Sequence, residues 1–580
     1  MRPARNDLRS VLLVLALGAC ATHPTGVTPI PSGPASGIAP TWQYAGKARV
    51  AEGAHGMVVS GSPIASEVGR TILAQGGNAI DAATAVGFAL AVVHPEAGNI
   101  GGGGFSIIRT ADGTVSALDY RETAPAAATR SMYQDLRGDP TDLSINGILG
   151  AGVPGSVAGL VEQHRKFGRL PLRDVVAPAI ALARDGFTVD DYRERSIDGD
   201  RARLYLFAGS RADYLQDGHA PKAGTIFRQP DLARTLQMIA DSGADGFYLG
   251  PVADLVVAEM QRDGGIMTLA DLAGYRAIWR DPIAIEYRGY TVYSMPPSSS
   301  GGVTLAEILN VMEGFGTLPP FGSPQLIHRE AEAMRRAFTD RNYYLGDPDF
   351  VHAPIAKLIS KAYADSLRAT IDLAHATPSA DVQPAAGGMS TTHYSVVDAD
   401  GNAVSTTTTL NNSFGSAVTV SGAGFLLNDE MDDFASAPGK PNMYGLVQGE
   451  IDAVAPGHRM LSAMTPSVVV DPAGKLFLVV GTPGGPTIIT QVYHVISNVI
   501  DHHMSLPDAV TAPRMHHQGL PDQIRLEAGG FYPATIAALE AMGHAVVFRS
   551  RWGDVEAIIR TPGGWEGVSD PRLGGGGAGY

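Results

Sequence analysis

The chain is nearly free of cysteine: Cys20 is the only one in 580 residues. An internal disulfide framework is therefore excluded. Near the N-terminus the apolar run from Val11 to Leu17 stops well short of the ~20 residues needed to cross a bilayer. Basic blocks are missing too. Lys and Arg number 43 against 58 Asp and Glu, a formal charge of -15, which argues against nucleic acid as a partner. Three common catalytic signatures are also missing. The glycine-rich "HPEAGNIGGGGFSIIRT" is followed by no Gly-Lys-Ser/Thr, so it is not a P-loop. There is no Gly-x-Ser-x-Gly elbow and no His-Glu-x-x-His zinc helix. His502-His503 and His516-His517 are adjacent pairs, not spaced for one helix face, and read as surface or structural residues.

What is present starts with "MRPARNDLRSVLLVLALGAC": three arginines, a short apolar stretch, then the sole cysteine. This is the layout of a secretory signal over residues 1–19. "LGAC" resembles a bacterial lipobox, which implies a lipidated Cys20 as the first mature residue. Ala21 in the next position resembles outer-membrane sorting, so the expected location is the periplasm, with a lipid anchor in the outer membrane. The Pro/Ser/Thr/Gly stretch that follows, within residues 20–45, has little to bury and reads as a flexible tether.

With 70 Gly and 39 Pro spread among periodic segments, the rest reads as globular. Ser66–Val93 has helical periodicity broken near Gly76-Gly77, and "AIDAATAVGFALAVV" is small and apolar on nearly all sides, as a buried helix would be. The glycine-rich loop leads into a strand; tight backbone packing explains it as well as ligand contact does. Ser156–Leu367 reads as mostly helical, with Ile285–Pro296 as one strand. Ala369–Ser390 reads as an exposed linker. Beyond it come strands at Thr392–Asp398, Ala403–Leu410, Thr465–Val470 and Leu476–Val480, and helices at Thr490–Asp501 and Pro533–Ala541. Strands and helices in both halves indicate a layered α/β body.

The densest chemical signal is "GGMSTTHYSVVDADGNAVSTTTTLNNSFGS", Gly387 to Ser416. "DADGN" is a hairpin signal. A three-residue loop with Gly401 left-handed pairs Asp398 with Asn402 and sets Thr391 opposite Thr409; a two-residue Asp400-Gly401 loop sets it opposite Leu410 instead. β-propensity alone accounts for threonines in strands. A threonine hydroxyl is also a weak nucleophile without a base. Cutting the chain before Thr391 would supply one, because an α-amine titrates at roughly 7.7–8.0. The small, flexible "GGMS" suits a self-cleaving bond between Ser390 and Thr391.

This segment resembles the small-subunit start of the γ-glutamyltransferases, also called glutathione hydrolases. The resemblance extends through "GGGGF", "ALDYRETAP", "YRGYTVYSMPPSSSGG", "DRNYYLGDPDF", "LLNDEMDDF", "GTPGGPTIIT", "APRMHHQ" and "SDPRLGGGGAGY". It implies a four-layer αββα sandwich of the N-terminal nucleophile hydrolase type, made as one chain and self-cleaved into a large subunit, 46–390, and a small subunit, 391–580, that stay together. It implies Thr391 as nucleophile, Thr409 as its hydrogen-bonding partner, Arg121 and Ser462 at the substrate α-carboxylate, and Asn411, Glu430 and Asp433 around its α-amino group. Gly484 and Gly485 are implied as the oxyanion hole, and Tyr444, in "PGKPNMYGLVQGE", as the aromatic residue of a lid. The implied donors are glutathione and other γ-glutamyl compounds, and the acceptors water, amino acids or dipeptides, with no metal or organic cofactor. Ser462-Ala463 departs from the family's two adjacent serines, which implies altered donor selectivity; Thr482 and Pro486 depart as well. Two other readings are a cephalosporin (glutaryl-β-lactam) acylase on the same fold and a non-catalytic peptide-binding lipoprotein.

Overall fold

Two seven-stranded antiparallel sheets form the body of the protein in its computed structural model, which describes residues 37–379 and 391–580. Cys20, the start of the tether and Ser390 lie outside those residues. One sheet runs in the order Gly576–Gly579, Met57–Ser60, Thr391–Val397, Ala403–Thr409, Gly103–Arg109, Val115–Tyr120, Ile278–Arg280. The other runs Arg49–Gly53, Gly564–Ser569, Glu556–Thr561, Leu476–Gly481, Ser467–Val470, Tyr290–Ser294, Ile283–Tyr287. Both sheets combine strands from before and after Thr391.

Side chains alternate across a strand, so neighbours serve different layers. Val396, Val404 and Ile108 pack outward under the helices Pro63–Ala74, Ala79–Val93, Ser156–Phe167 and Leu172–Asp185. Val397, Ala403, Phe105 and Ile107 point the other way, onto Val468, Val479 and Ile558 of the facing sheet. The far side of that second sheet is covered by Gly301–Glu313, Pro324–Tyr344 and Thr487–Ile500. The order helix, sheet, sheet, helix is the expected αββα sandwich. Every residue of Ala79–Val93 is buried, as its composition requires, and Asn78 and Asp81 close its N-terminus in a reciprocal capping box.

The three-residue loop is the observed one. Asp398 N donates to Asn402 O at 3.1 Å, Gly401 takes φ +87, and the strands run in register from Val397–Ala403 to Thr391–Thr409. Asp398 organises the turn: its carboxylate accepts from Asp400 N, Asn402 N and Asn402 Nδ2, and from Ala79 N at 2.8 Å, which ties the turn to the buried helix. On the other side, Gly103 and Gly104 pair with Thr409 and Thr408. A Cβ at Gly102 would stand 2.1 Å from Thr409 O, so the glycine-rich loop serves close backbone packing against the strand that carries Thr409.

One expectation needs correction. Ile285–Pro296 is not one strand: Arg288 and Gly289, both at positive φ, turn it into the hairpin Ile283–Tyr287/Tyr290–Ser294. Of the two readings for His516-His517, surface or structural, the structural one is observed: both are buried, with His516 held between Thr490 Oγ1 and Gln518. The strand Gly576–Gly579 was hidden by its glycines, whose backbones fit between Met57–Ser60 and neighbouring chain.

Candidate active site

Thr391 starts its strand at a sheet end, and its Oγ1 lies 3.2 Å from Thr409 Oγ1. The direct cross-strand register brings the two hydroxyls together. The same strand face carries His393 two residues on. Its ring is spanned by Thr407 Oγ1 and Ser395 Oγ, and burial pushes it down to about 3, so it is a neutral structural imidazole at pH 7.

Thr391 borders a cavity that also meets Thr409, Asn411, Glu430, Asp433, Tyr444, Ser462 and Gly485. Eight of the expected site residues therefore converge. Ala463 and Pro486 are part of the same wall. Gly484 faces a second cavity on Thr391, lined also by His94, Tyr192, Arg551 and Trp552. A wider surface cleft by Lys166, Trp279 and His352 shares no residue with either. Ser390 is outside the described residues.

Asn411 takes φ +76, a conformation asparagine tolerates better than most side chains, and its N donates to Thr409 Oγ1 at 2.8 Å. Tyr444 Oη donates to Asn411 Oδ1 at 2.6 Å, closing the segment around Tyr444 over the cavity. Gly485, at φ +54, lies so near the Tyr444 ring that a Cβ would come within 3.0 Å of it. The Gly484-Gly485 pair precedes the helix Thr487–Ile500, whose N-terminus favours developing negative charge. Pro486 at the start of that helix costs no ladder hydrogen bond. The Thr482 hydroxyl accepts from Asp554 N, so both departures fit locally.

The acidic turn Glu430–Asp433 is not solvated. Arg121, fully buried, binds Glu430 through Nη1 and Asp433 through Nη2, and its Nε donates to Met460 O at 3.2 Å. Glu122 lies 3.7 Å from the same guanidinium, and among the described residues neither carboxyl oxygen has a hydrogen-bond partner. Arg121 thus sits behind the two acids and does not form part of the cavity wall. Burial opposes its charge, but Glu430, Asp433 and Glu122 outweigh that and hold it above its ordinary range. One guanidinium cannot neutralise three buried carboxylates. Burial raises Glu430 and Asp433 against the pull of Arg121, and pushes Glu122 up to about 8.

One charged wall residue was not anticipated: Arg341, from the last turn of Pro324–Tyr344. In sequence it is the arginine of "DRNYYLGDPDF", a stretch that carried the family resemblance without a role for this side chain. Among the described residues, one set of metal-type ligands converges elsewhere, His328, Glu332 and His544. It is internally satisfied: His328 Nδ1 and His544 Nε2 share a 2.7 Å hydrogen bond, and Glu332 accepts from Thr377 and Arg336.

A family model for gamma-glutamyltranspeptidase matches residues 65–580. The chain belongs to the gamma-glutamyltranspeptidase family. It is 47% identical over 525 residues to the glutathione hydrolase proenzyme of Escherichia coli (strain K12), covering 89% of this chain and 90% of that protein. It is also 39% identical over 525 residues to the acylase ACY 1 proenzyme of Pseudomonas sp. (strain SE83), covering 89% and 91%. Among solved structures, the cephalosporin acylase from Bacillus halodurans superposes with a TM-score of 0.81 at 28% identity, covering 97% of this chain and 99% of that one. Membership makes the chain an enzyme of that family, and the cavity has to specify the acyl group.

The buried carboxyl Glu122 gives a pH test. Its pKa in the fold, about 8, exceeds the ordinary 4.5, so its contribution to stability is complete below pH ~4.5 and is lost as pH rises through 8. Glu122→Gln keeps the neutral shape and removes that loss. Denaturant midpoints of variant and wild type should agree near pH 5 and diverge in the variant's favour toward pH 9; a constant difference across that range would refute the assignment.

Proposed function

We propose that the protein is a γ-glutamyltransferase and glutathione hydrolase, cut by itself between Ser390 and Thr391, with Thr391 as its nucleophile. One observation carries the reading: the Thr391 hydroxyl, within hydrogen-bond reach of Thr409, borders a cavity that also holds the acids Glu430 and Asp433. Membership of the family and the 47% identity to a protein named as a glutathione hydrolase proenzyme support it.

Cleavage frees the Thr391 α-amine, which takes the proton of its own Oγ1 as that oxygen attacks the γ-carbonyl carbon of the donor. Negative charge builds on the carbonyl oxygen, opposite the N–H groups of Gly484 and Gly485; losing one such donor typically costs ~2.7–4 kcal/mol. As the intermediate collapses, the C–N bond breaks and the amine passes its proton to the leaving nitrogen. Cysteinylglycine departs from glutathione, leaving a γ-glutamyl ester on Thr391. Water, or the amine of an amino acid or dipeptide, then attacks that ester and gives its proton to the α-amine, which passes it to Oγ1 as the ester C–O bond breaks. The cycle is ping-pong. The second cavity beside Gly484 offers the leaving group and acceptor their own side of Thr391.

The donor's zwitterionic head enters by exchange of ion pairs. Its ammonium takes the place of Arg121 on Glu430 and Asp433, beside Asn411, and its carboxylate meets the released guanidinium and Ser462. Exchange avoids leaving any of these buried charges unpaired. Tyr444 covers the head through Asn411. Ala463 contributes no hydroxyl to this wall, which shifts donor selectivity without removing the nucleophile.

A glutaryl group has no α-amine and no use for the two acids. The wild-type protein should therefore cleave a γ-glutamyl anilide with at least tenfold higher kcat/KM than the glutaryl anilide. Asp433→Ala should lower the γ-glutamyl value by roughly 30-fold or more and change the glutaryl value less than about threefold. The opposite preference in the wild type would make the protein an acylase, and binding of γ-glutamyl compounds with no turnover would make it a binding lipoprotein.

We also propose that Cys20 is lipidated and that the enzyme is periplasmic, anchored to the outer membrane. The lipobox-like "LGAC" and the Pro/Ser/Thr/Gly tether support this. Cys20→Ala should move the protein from the membrane fraction to the soluble fraction; wild-type protein with an unmodified Cys20 by mass spectrometry would contradict the anchor.

A further inference from the structure

The motif "APRMHHQ" ends in a glutamine that the reaction above does not use. Gln518 is 1% exposed, and its Nε2 donates to the carbonyl of Tyr444 at 3.3 Å. Tyr444 belongs to a turn that largely holds itself. Asn442 Oδ1 accepts from Tyr444 N at 3.0 Å and from Leu446 N at 3.2 Å. Asn442 N donates to Leu446 O at 3.0 Å, and Gly445 takes φ +77 between them. The turn is also tied to the body. Met443 N donates to Asp432 Oδ2 at 3.2 Å, and Tyr444 Oη donates to Asn411 Oδ1, so these two ties run to the acidic turn and to the end of the threonine hairpin. Gln518 reaches the same turn from a separate segment, just after the short strand Met515–His516.

A carbonyl only accepts, so Tyr444 O fixes which end of the Gln518 amide faces it. Gln518 Oε1 is then turned to His516 Nε2, 3.0 Å away, and that nitrogen carries the ring proton. The other ring nitrogen, Nδ1, is left as the acceptor for Thr490 Oγ1 at 2.9 Å. The His516 ring stands edge-on to Phe338 at 88°, and burial pushes it well below its ordinary range, so it is neutral at pH 7. The relay therefore runs one way, from Thr490 through His516 and Gln518 to Tyr444. Its fixed end, Thr490, lies in the first turn of Thr487–Ile500, the helix that follows Gly484 and Gly485. Tyr444 meets this helix twice. Its ring lies against Gly485, and its carbonyl is joined to Thr490 through two buried side chains.

We propose that Gln518 is a positioning residue that latches the turn Asn442–Leu446 over the cavity, with His516 fixing the direction of its amide. This deepens the γ-glutamyl reading and rests on it. Opening the turn takes the acceptor away from a buried amide, which costs free energy. The relay thus biases the turn toward the closed position without touching the donor. Because Thr490 and the two glycines share one helix start, closing the turn and placing those glycines belong to a single arrangement. Loss of the latch changes how much of the time the cavity is covered, so it is felt in KM before it is felt in the chemical step.

Hydrogen exchange on the processed enzyme, followed peptide by peptide, tests the latch. Gln518→Met keeps length and burial and removes the donor. It should speed exchange in the peptide covering 438–449 by about fivefold or more, and leave the peptides of Thr391–Val397 and Thr487–Ile500 within about twofold of the wild type. With the γ-glutamyl anilide, KM should rise about 5- to 20-fold while kcat changes less than about threefold. Thr490→Val removes the hydroxyl that directs His516, and should move the same peptide and the same KM in the same direction by less. Unchanged exchange at 438–449 in Gln518→Met, or equal increases in all three peptides, would overturn the proposal and leave Gln518 a support of the fold. Failure of both variants to fold would overturn it as well. The exchange readout needs no substrate. If the wild type did not turn over the γ-glutamyl anilide, the reading of the site would fall, and exchange would still decide the latch.

Discussion

The cross-strand register that sets Thr391 against Thr409 is the constraint on which the rest of the site depends. A slip of one residue would turn every side chain of the strand to the other layer. Thr391 would then lose its partner hydroxyl, and the valines that divide the inter-sheet core from the helix layer would change places. The register is fixed at the far end of the hairpin, where the Asp398 carboxylate holds the turn and the start of the buried helix together. The chemistry at one end of the strand is thus secured by a turn seven residues away. Because neighbouring strands come from both sides of the proposed cut, breaking the chain at Thr391 removes no strand pairing.

Charge forms the second layer of the design. The site buries two guanidiniums and several carboxyls with little water-facing surface, and their pairing in the free protein is uneven. Arg121 has three acids around it while Arg341 has none in ion-pair contact. A zwitterion brings an ammonium for the two acids and a carboxylate for the guanidinium they release. The same arrangement gives nothing to a simple dicarboxylic acyl group, so substrate class follows from charge counting more than from cavity shape.

Much of this was legible in the sequence because short motifs with strict local geometry carried it. "DADGN" implied a turn with two open registers, and the three-residue loop, the one observed, sets Thr391 against Thr409. The buried helix was legible in its all-round small apolar composition. What escaped notice lacked a local signature. Arg288-Gly289 supplies a hairpin turn without the usual asparagine or aspartate, and the C-terminal glycine strand has no side chains to show a period. The burial of "NDEMDDF" depends on Arg121, some 300 residues earlier in the chain, and could be inferred only from family resemblance. Arg341 stands in "DRNYYLGDPDF", but nothing along the chain shows that it reaches the cavity wall.

The central claim is that Thr391 becomes the N-terminal residue of its own subunit and supplies both nucleophile and base. N-terminal sequencing of the active preparation after separation on a denaturing gel tests it most directly, alongside Thr391→Ala. The account predicts two chains from the wild type, the smaller beginning Thr391-Thr392-His393, and one uncut, inactive chain from the variant. Full activity from a single uncut wild-type chain, or turnover by Thr391→Ala, would contradict it.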